Sequence, residues 1–235
     1  LIGNLWVKRV STGYLPWSHI IGIIALAALL LATRGWVTLW TGAVAVWLSV
    51  RENVWSWVIG LTNVLLAFGL FYQIQLYPDM FLQVFFFVTN ILGFWYWKFP
   101  KNEEKNKNNE LIISKLNPRN FLIYSLLALL FTGLFGTFSQ HLHQIFPRLF
   151  SLPSAFPFVD SFTTIMSIYA TFLLMRKKVE AWWIWLAVDI LSTYMYYIKE
   201  VKLYAFLYFI FCLIAAQGAW SWTKQYQQQK KLTHS

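Results

Sequence analysis

The chain alternates long apolar runs with short polar breaks. A span through lipid needs about 20 mostly apolar residues, and eight runs approach that length: 18–33, 36–50, 54–76, 80–98, 120–138, 158–175, 181–198 and 203–223. The second is the shortest and least secure. The longest polar stretch, Pro100 to Pro118, contains KNEEKNKNNE and reads as a solvated loop or flexible linker. The segment 139–157, with Pro147, Pro153 and Pro157, reads as an irregular loop outside the membrane. The expected class is an all-α integral membrane protein with eight transmembrane helices.

Composition agrees. The chain has 235 residues, of which 58% are hydrophobic, 20% aromatic and 12% charged. Soluble domains carry roughly twice that share of charge. A soluble chain this long has too little interior to hide so much apolar surface. Disorder, collagen-like repeats and disulfide scaffolds are excluded, and the single Cys212 has no partner for an internal disulfide. No cleavable signal peptide is visible, because the run after Lys8 and Arg9 ends at Arg34 without a cleavage site.

The net charge of +10 changes the picture only through its placement. With the 100–118 linker on the cytoplasmic side, that side holds Lys8, Arg9, Arg51, Lys98, Lys101, Lys105, Lys107, Lys115, Arg119, Arg176, Lys177, Lys178, Lys224, Lys230 and Lys231. The other side holds Arg34, Arg148, Lys199 and Lys202. This bias orients the chain with both termini cytoplasmic. It explains the basic character without nucleic acid, which is not expected as a partner.

The two halves resemble each other in order. Asn53-Val54-Trp55-Ser56-Trp57 faces Glu180 to Trp185, Leu76-Tyr77 faces Leu203-Tyr204, and Gly93-x-Trp95-x-Trp97 faces Gly218-x-Trp220-x-Trp222. The offset drifts from about 127 to 125, which calls for a small indel. Asn63 falls opposite Asp189. One helix, 120–138, separates the two triplets, so the repeats run in parallel, as in transporters that hold substrate between halves. The expected division is 1–35 (N-terminal region with an extra helix), 36–99 (first repeat), 100–157 (linker, linking helix and outer loop), 158–224 (second repeat) and 225–235 (tail).

Asp189 is the only acid deep within an expected span. A charge there is costly on insertion and usually faces a bundle interior or wet cavity. Trp182, Trp185, Asp189, Thr193 and Tyr196 share one helix face. An acid among aromatics suits a polar ligand with a flat ring: the carboxylate accepts hydrogen bonds from hydroxyls, and an indole stacks, best on a cation. The competing reading is that Asp189 bonds a neighbouring helix. Gln83, Phe86, Asn90 and Trp97 form a second stripe, whose amides suit a carboxamide or ribose or serve as glue between helices. Asn63, Trp57, Gln73, Tyr72, Tyr208 and Gln217 are further lining candidates. Trp6, Trp17, Trp36, Trp95, Trp220 and Trp222 lie near span ends and read as interfacial belts, while Gly60, Gly93 and Gly218 read as close-packing positions.

Enzyme motifs are missing. There is no P-loop, GxSxG, HExxH or GxGxxG. His141-x-His143 has no Cys or paired acid at metal-ligand spacing, so neither a metal nor a cofactor is expected.

The segments NVWSWVIGLTN, LYPDMFLQVFFFVTNILGFWYW and VEAWWIWLAVDILSTYMYY resemble the PnuC-type nicotinamide riboside transporter family, over roughly residues 35–224. The Trp182-x-x-Trp185-x-x-x-Asp189 spacing is similar to the family's tryptophan-plus-Asn/Asp signature. The resemblance implies a SWEET-like fold of three helices, a linking helix and three more. It implies a bacterial inner-membrane carrier of vitamin B3 nucleoside for NAD biosynthesis, a homotrimer working by facilitated diffusion, with uptake trapped by a cytoplasmic riboside kinase. It assigns the ligand signature to Trp182, Trp185 and Asp189, and less closely to Asn63 and Trp57. The rival expectations are a carrier of another vitamin or sugar on the same fold, and a non-transporting membrane scaffold.

Overall fold

A computed structural model describes residues 37–73, 77–106, 109–147, 156–198, 200 and 202–233. The expected first helix, 18–33, lies outside these residues, as do Lys8, Arg9, Arg34, Lys107, Arg148 and Lys199. Seven helices occur among the described residues: α1 Val37–Val50, α2 Trp55–Gln73, α3 Tyr77–Lys98, α4 Pro118–Ile145, α5 Pro157–Met175, α6 Glu180–Ile198 and α7 Lys202–Thr233. Each coincides with an expected span. α4 and α7 run beyond their expected ends, and the first part of the expected loop 139–157 is helix. α4, α5 and α7 are long and apolar enough to cross a membrane, and α1 and α2 have shorter apolar stretches. α3 and α6 carry the polar groups of the two stripes, which lowers their mean hydropathy.

Local chemistry sets the helix ends. The Asn53 side chain accepts from Trp55 N–H at 2.9 Å, and Asn117 caps α4 through Arg119 N–H at 3.0 Å, with Pro118 in the first turn. α1 and α5 stop in the same way. In α1, Glu52 N–H bonds Ser49 O and Asn53 N–H bonds Leu48 O, both at 3.0 Å. In α5, Lys177 N–H bonds Leu174 O and Lys178 N–H bonds Leu173 O, both at 2.9 Å. Each pair is a Schellman closure, and the residue after each cap is left-handed: Glu52 at φ 56° and Lys177 at φ 46°.

These turns are 125 positions apart, and the same interval relates what packs beside them. Trp57 meets Trp97 edge-on at 5.3 Å, and Trp182 meets Trp222 edge-on at 5.4 Å. A Cβ on Gly93 would lie 2.5 Å from the Trp57 ring, and one on Gly218 2.5 Å from the Trp182 ring. The interval holds through turn, helix and returning helix, so the expected indel is not needed here. At this register Asn63 corresponds to Val188, and Asp189 to Val64.

The two turns touch. Lys177 Nζ lies 2.8 Å from Glu52 Oε2, and Trp222 Nε1 donates to Val50 O at 3.0 Å. α1 and α5 therefore end on the same side, and α2 and α6 leave from it. α2 packs on α3, α5 on α6, α6 on α7, α3 on α5, and α4 rests on the outside of α5. The bundle core at the turn end joins Val50, Trp57, Trp97, Met175, Val179, Trp182, Ala215, Ala219 and Trp222.

The polar linker is largely exposed, as its composition suggests, but its middle is not. Leu111 and Ile113 enter that same core, with Ile113 only 1% exposed. Ser114 N–H bonds Lys177 O at 3.0 Å, and Ser114 O accepts from Val179 N–H at 3.0 Å. Leu116 N–H reaches the Glu180 carboxylate at 3.2 Å. The apolar triplet Leu111-Ile112-Ile113 gives the segment something to bury, and the backbone bonds fix its place. Trp222 is a second correction: it is fully buried, not interfacial. Trp95 and Trp220 are exposed, as an interfacial belt requires.

Candidate functional site

The α6 stripe faces inward. Trp182, Asp189 and Ser192 are buried, Trp185, Thr193 and Tyr196 half-buried, while Trp183, Ile190, Tyr194 and Tyr197 face outward. Trp182 to Tyr196 spans about 21 Å along the axis, with Asp189 midway. Below the acid, toward the turns, lie Trp185 and then Trp182 under Gly218. Above it, Thr193 Oγ1 donates to Asp189 O at 2.7 Å and lies 3.8 Å from Cys212 Sγ of α7. Farther along, Tyr196 stacks on Tyr208 at 5.2 Å and on Tyr204 at 5.4 Å.

Asp189 is 4% exposed. No hydrogen bond or ion pair from a described residue reaches its carboxylate, and bonds to its helix use only its backbone oxygen. An isolated buried carboxyl costs free energy unless something binds it. It sits within an inward aromatic stripe and away from the lipid-facing side of α6.

The first-half residues are placed differently. Asn63 Nδ2 donates to Thr41 Oγ1 at 2.9 Å and to Thr38 O, tying α2 to α1. Asn90 Nδ2 donates to Phe86 O at 2.7 Å on its own helix, and its Oδ1 lies so close to Gly60 that a Cβ there would collide. Both amides therefore serve contacts between or within helices. Trp57 is buried under Gly93. Gln83 is buried and Phe86 half-buried on the inward stripe of α3, as expected. The Gln73 side chain lies outside the described ones. The indole N–H groups of Trp57, Trp97 and Trp182 are buried without partners among the described residues.

Two grooves lie elsewhere. One of about 460 Å³ runs between α4 and α5, past Tyr124, Phe131, Tyr169 and Phe172. The other, of about 580 Å³, runs along the outside of α6 and α7, past Tyr194, Tyr197 and Phe206. Neither touches Asp189, and both are surface features of the bundle. What sequence reasoning missed is the turn end: Glu52, Lys177, Leu111 and Ile113. The left-handed positions carry no local sequence signal without Gly, but the apolar triplet 111–113 within a polar linker was a usable one.

Comparison with known proteins adds three findings. The chain is 29% identical over 210 residues to the nicotinamide riboside transporter PnuC of Escherichia coli (strain K12), covering 82% of this chain and 87% of that protein. It is 25% identical over 192 residues to a protein of the same name from Neisseria mucosa, covering 78% and 69%. A crystal structure of the vitamin B3 transporter PnuC matches the fold with a TM-score of 0.64 at 20% identity, covering 96% of this chain and 99% of that one. The family model described as nicotinamide mononucleotide transporter matches residues 32–224, and so the chain is a multi-pass membrane protein that belongs to this transporter family.

Proposed function

We propose that the chain carries nicotinamide riboside across a bacterial inner membrane by facilitated diffusion. The first and last three helices form a parallel, SWEET-like 3+1+3 arrangement after an extra N-terminal helix, eight spans in all, and they rock about a site near mid-membrane. The unit boundaries follow the expected ones, 36–99 and 158–224. The basic turn end is cytoplasmic with both termini, in keeping with its Lys and Arg excess. The functional unit is a homotrimer, and a cytoplasmic kinase traps the vitamin for NAD biosynthesis.

One observation carries this reading: a buried carboxyl with no partner among the described residues, set between an indole layer and a tyrosine stack. Nicotinamide riboside offers a flat pyridinium cation, a carboxamide and ribose hydroxyls. Asp189 accepts from hydroxyls or balances the cation, Trp185 and Tyr208 offer faces for the ring, and Trp182 with Trp57 forms the floor. Gln83 and Phe86, on the inward stripe of α3, complete the lining, and Asn90, Asn63 and Gln73 are kept as secondary candidates. The family description names a mononucleotide, whereas the named relatives are riboside transporters. No Lys or Arg lies within 55–73, 77–97, 157–175 or 180–198. A phosphate would have no cation to meet there, so the riboside is the better fit.

The test is ligand-induced stabilisation of the purified protein. At a concentration of 100 Kd a ligand adds about 2.7 kcal/mol. Riboside should raise the melting temperature, and the mononucleotide, thiamine and glucose should not. A shift by the mononucleotide alone, or by no compound in the set, overturns the assignment.

A further inference from the structure

The contact between the two helix turns involves a pair of corresponding residues. Glu52 and Lys177 stand 125 positions apart, the interval that relates the two turns, and they bond each other at 2.8 Å. Lys177 is almost fully buried: its side chain is 4% exposed, and that of Glu52 24%. The Lys177 ammonium also lies 4.9 Å from the centre of the Trp97 ring. By contrast, the neighbouring Arg176–Glu104 pair is 3.7 Å apart and well exposed, so solvent screens it.

Both residues occupy a left-handed backbone position. Glycine fills that position at no steric cost, whereas another residue adds on the order of 1 kcal/mol of strain. Two strained, oppositely charged residues meeting at corresponding positions point to a role beyond ending a helix. Residues 177–179 also hold the linker. Lys177 O and Val179 N–H bond Ser114, and Lys178 Nζ donates to Ser114 Oγ at 2.8 Å. Ile113 is thereby pressed into the core beneath the turns.

We propose that the Glu52–Lys177 pair is the latch of this end of the carrier. It ties the two helix triplets together and keeps segment 111–116 seated, and it parts when this end opens. The inference rests on the transport reading, because rocking requires the halves to separate somewhere. Its geometry makes a specific demand. The latch depends on attraction between two corresponding positions, so exchanging the charges should preserve it. A lysine at position 52 would occupy a backbone like that of Lys177, and Trp222, the counterpart of Trp97, already bonds the same turn at Val50 O.

The experiment reads opening directly, without substrate. Ile113→Cys is introduced into the full chain in a Cys212→Ser background, and maleimide alkylation is timed in proteoliposomes. Alkylation of so buried a site reports the open population. Glu52→Gln and Lys177→Gln should each raise the rate about tenfold or more, since each leaves a buried charge without its partner. Lys177→Arg, and the exchange Glu52→Lys with Lys177→Glu, should stay within about threefold of the parent. Unchanged rates in the two glutamine variants overturn the latch. So does an exchange variant that reacts as fast as the single variants, which would mark a loss of packing and not of pairing. Riboside binding by the parent is measured alongside. If binding is absent while the alkylation pattern holds, the substrate assignment fails and the latch stands.

Discussion

The first three helices and the last three share turns, ring pairs and close-packing glycines, yet their polar groups do opposite work. In the first triplet the amides are satisfied by protein: Asn63 binds α1 through Thr38 and Thr41, and Asn90 bonds its own helix. In the last triplet the acid stands apart, with Trp185 and Tyr196 on the same face and no donor to its carboxylate among the described residues. One half is held together by its polar residues, while the other leaves its buried acid without a partner among the described residues. A duplicated scaffold allows this division, because packing at the turn end is set by the tryptophans and glycines in both halves alike.

The largest effect should come from testing that division directly. Asp189→Ala should weaken riboside binding about 10–100-fold, the value of one or two hydrogen bonds to a charged group, with the melting temperature held or raised. Asn63→Ala should do the reverse. Two bonds between α1 and α2 disappear, stability falls by about 1–3 kcal/mol, and affinity stays within about threefold. Isothermal binding and thermal melting on the same preparations separate the two. If Asn63→Ala abolishes binding and Asp189→Ala does not, the roles of the halves are exchanged.

How much of this could be read from the sequence follows from what each feature depends on. Helix positions and the inward stripes of α3 and α6 are set by periodic hydrophobicity, and Gln83, Trp97, Trp182 and Asp189 are all buried. The packing role of Gly60, Gly93 and Gly218 was legible for a similar reason: small residues in apolar helices mark close approach. Asn63 was ambiguous because an amide suits a ribose and a neighbouring helix equally well, and only the partner decides. Trp222 reads as interfacial from its position near a span end, but the buried Val50 carbonyl draws its indole inward. The linker is legible only in part: most of its described charged residues are exposed as composition suggests, while Leu111 and Ile113 determine where it docks.

A second comparison uses the glycines. Gly93→Ala and Gly218→Ala each push a methyl against a buried indole that cannot retreat, so each should cost about 1–3 kcal/mol. The two costs should be alike, because the added Cβ would stand 2.5 Å from the ring in both halves. Gly133→Ala on α4 is the control. Nothing lies within 4 Å of its Cβ, and the change should stabilise the helix by about 0.5–1 kcal/mol. Unequal costs at 93 and 218 would mean that the halves pack less alike than their ring geometry indicates.

The smallest expected effect isolates one hydrogen bond. Trp97 and Trp222 are counterparts of the same size, both buried, and each meets a neighbouring indole edge-on. Trp222 donates to Val50 O, whereas the Trp97 N–H has no partner among the described residues. Replacement by Phe removes similar volume from both sites, so the packing losses should nearly cancel in the difference. Trp222→Phe should then be the more destabilising by about 1 kcal/mol, the net value of one neutral hydrogen bond. Melting curves of the two single variants and the double variant measure it. The rings lie 6.2 Å apart, within range for coupling, so the double variant should depart from simple addition by a few tenths of a kcal/mol or more. Equal losses in the single variants would show that the bond to Val50 is not what distinguishes the two ends of the tryptophan chain.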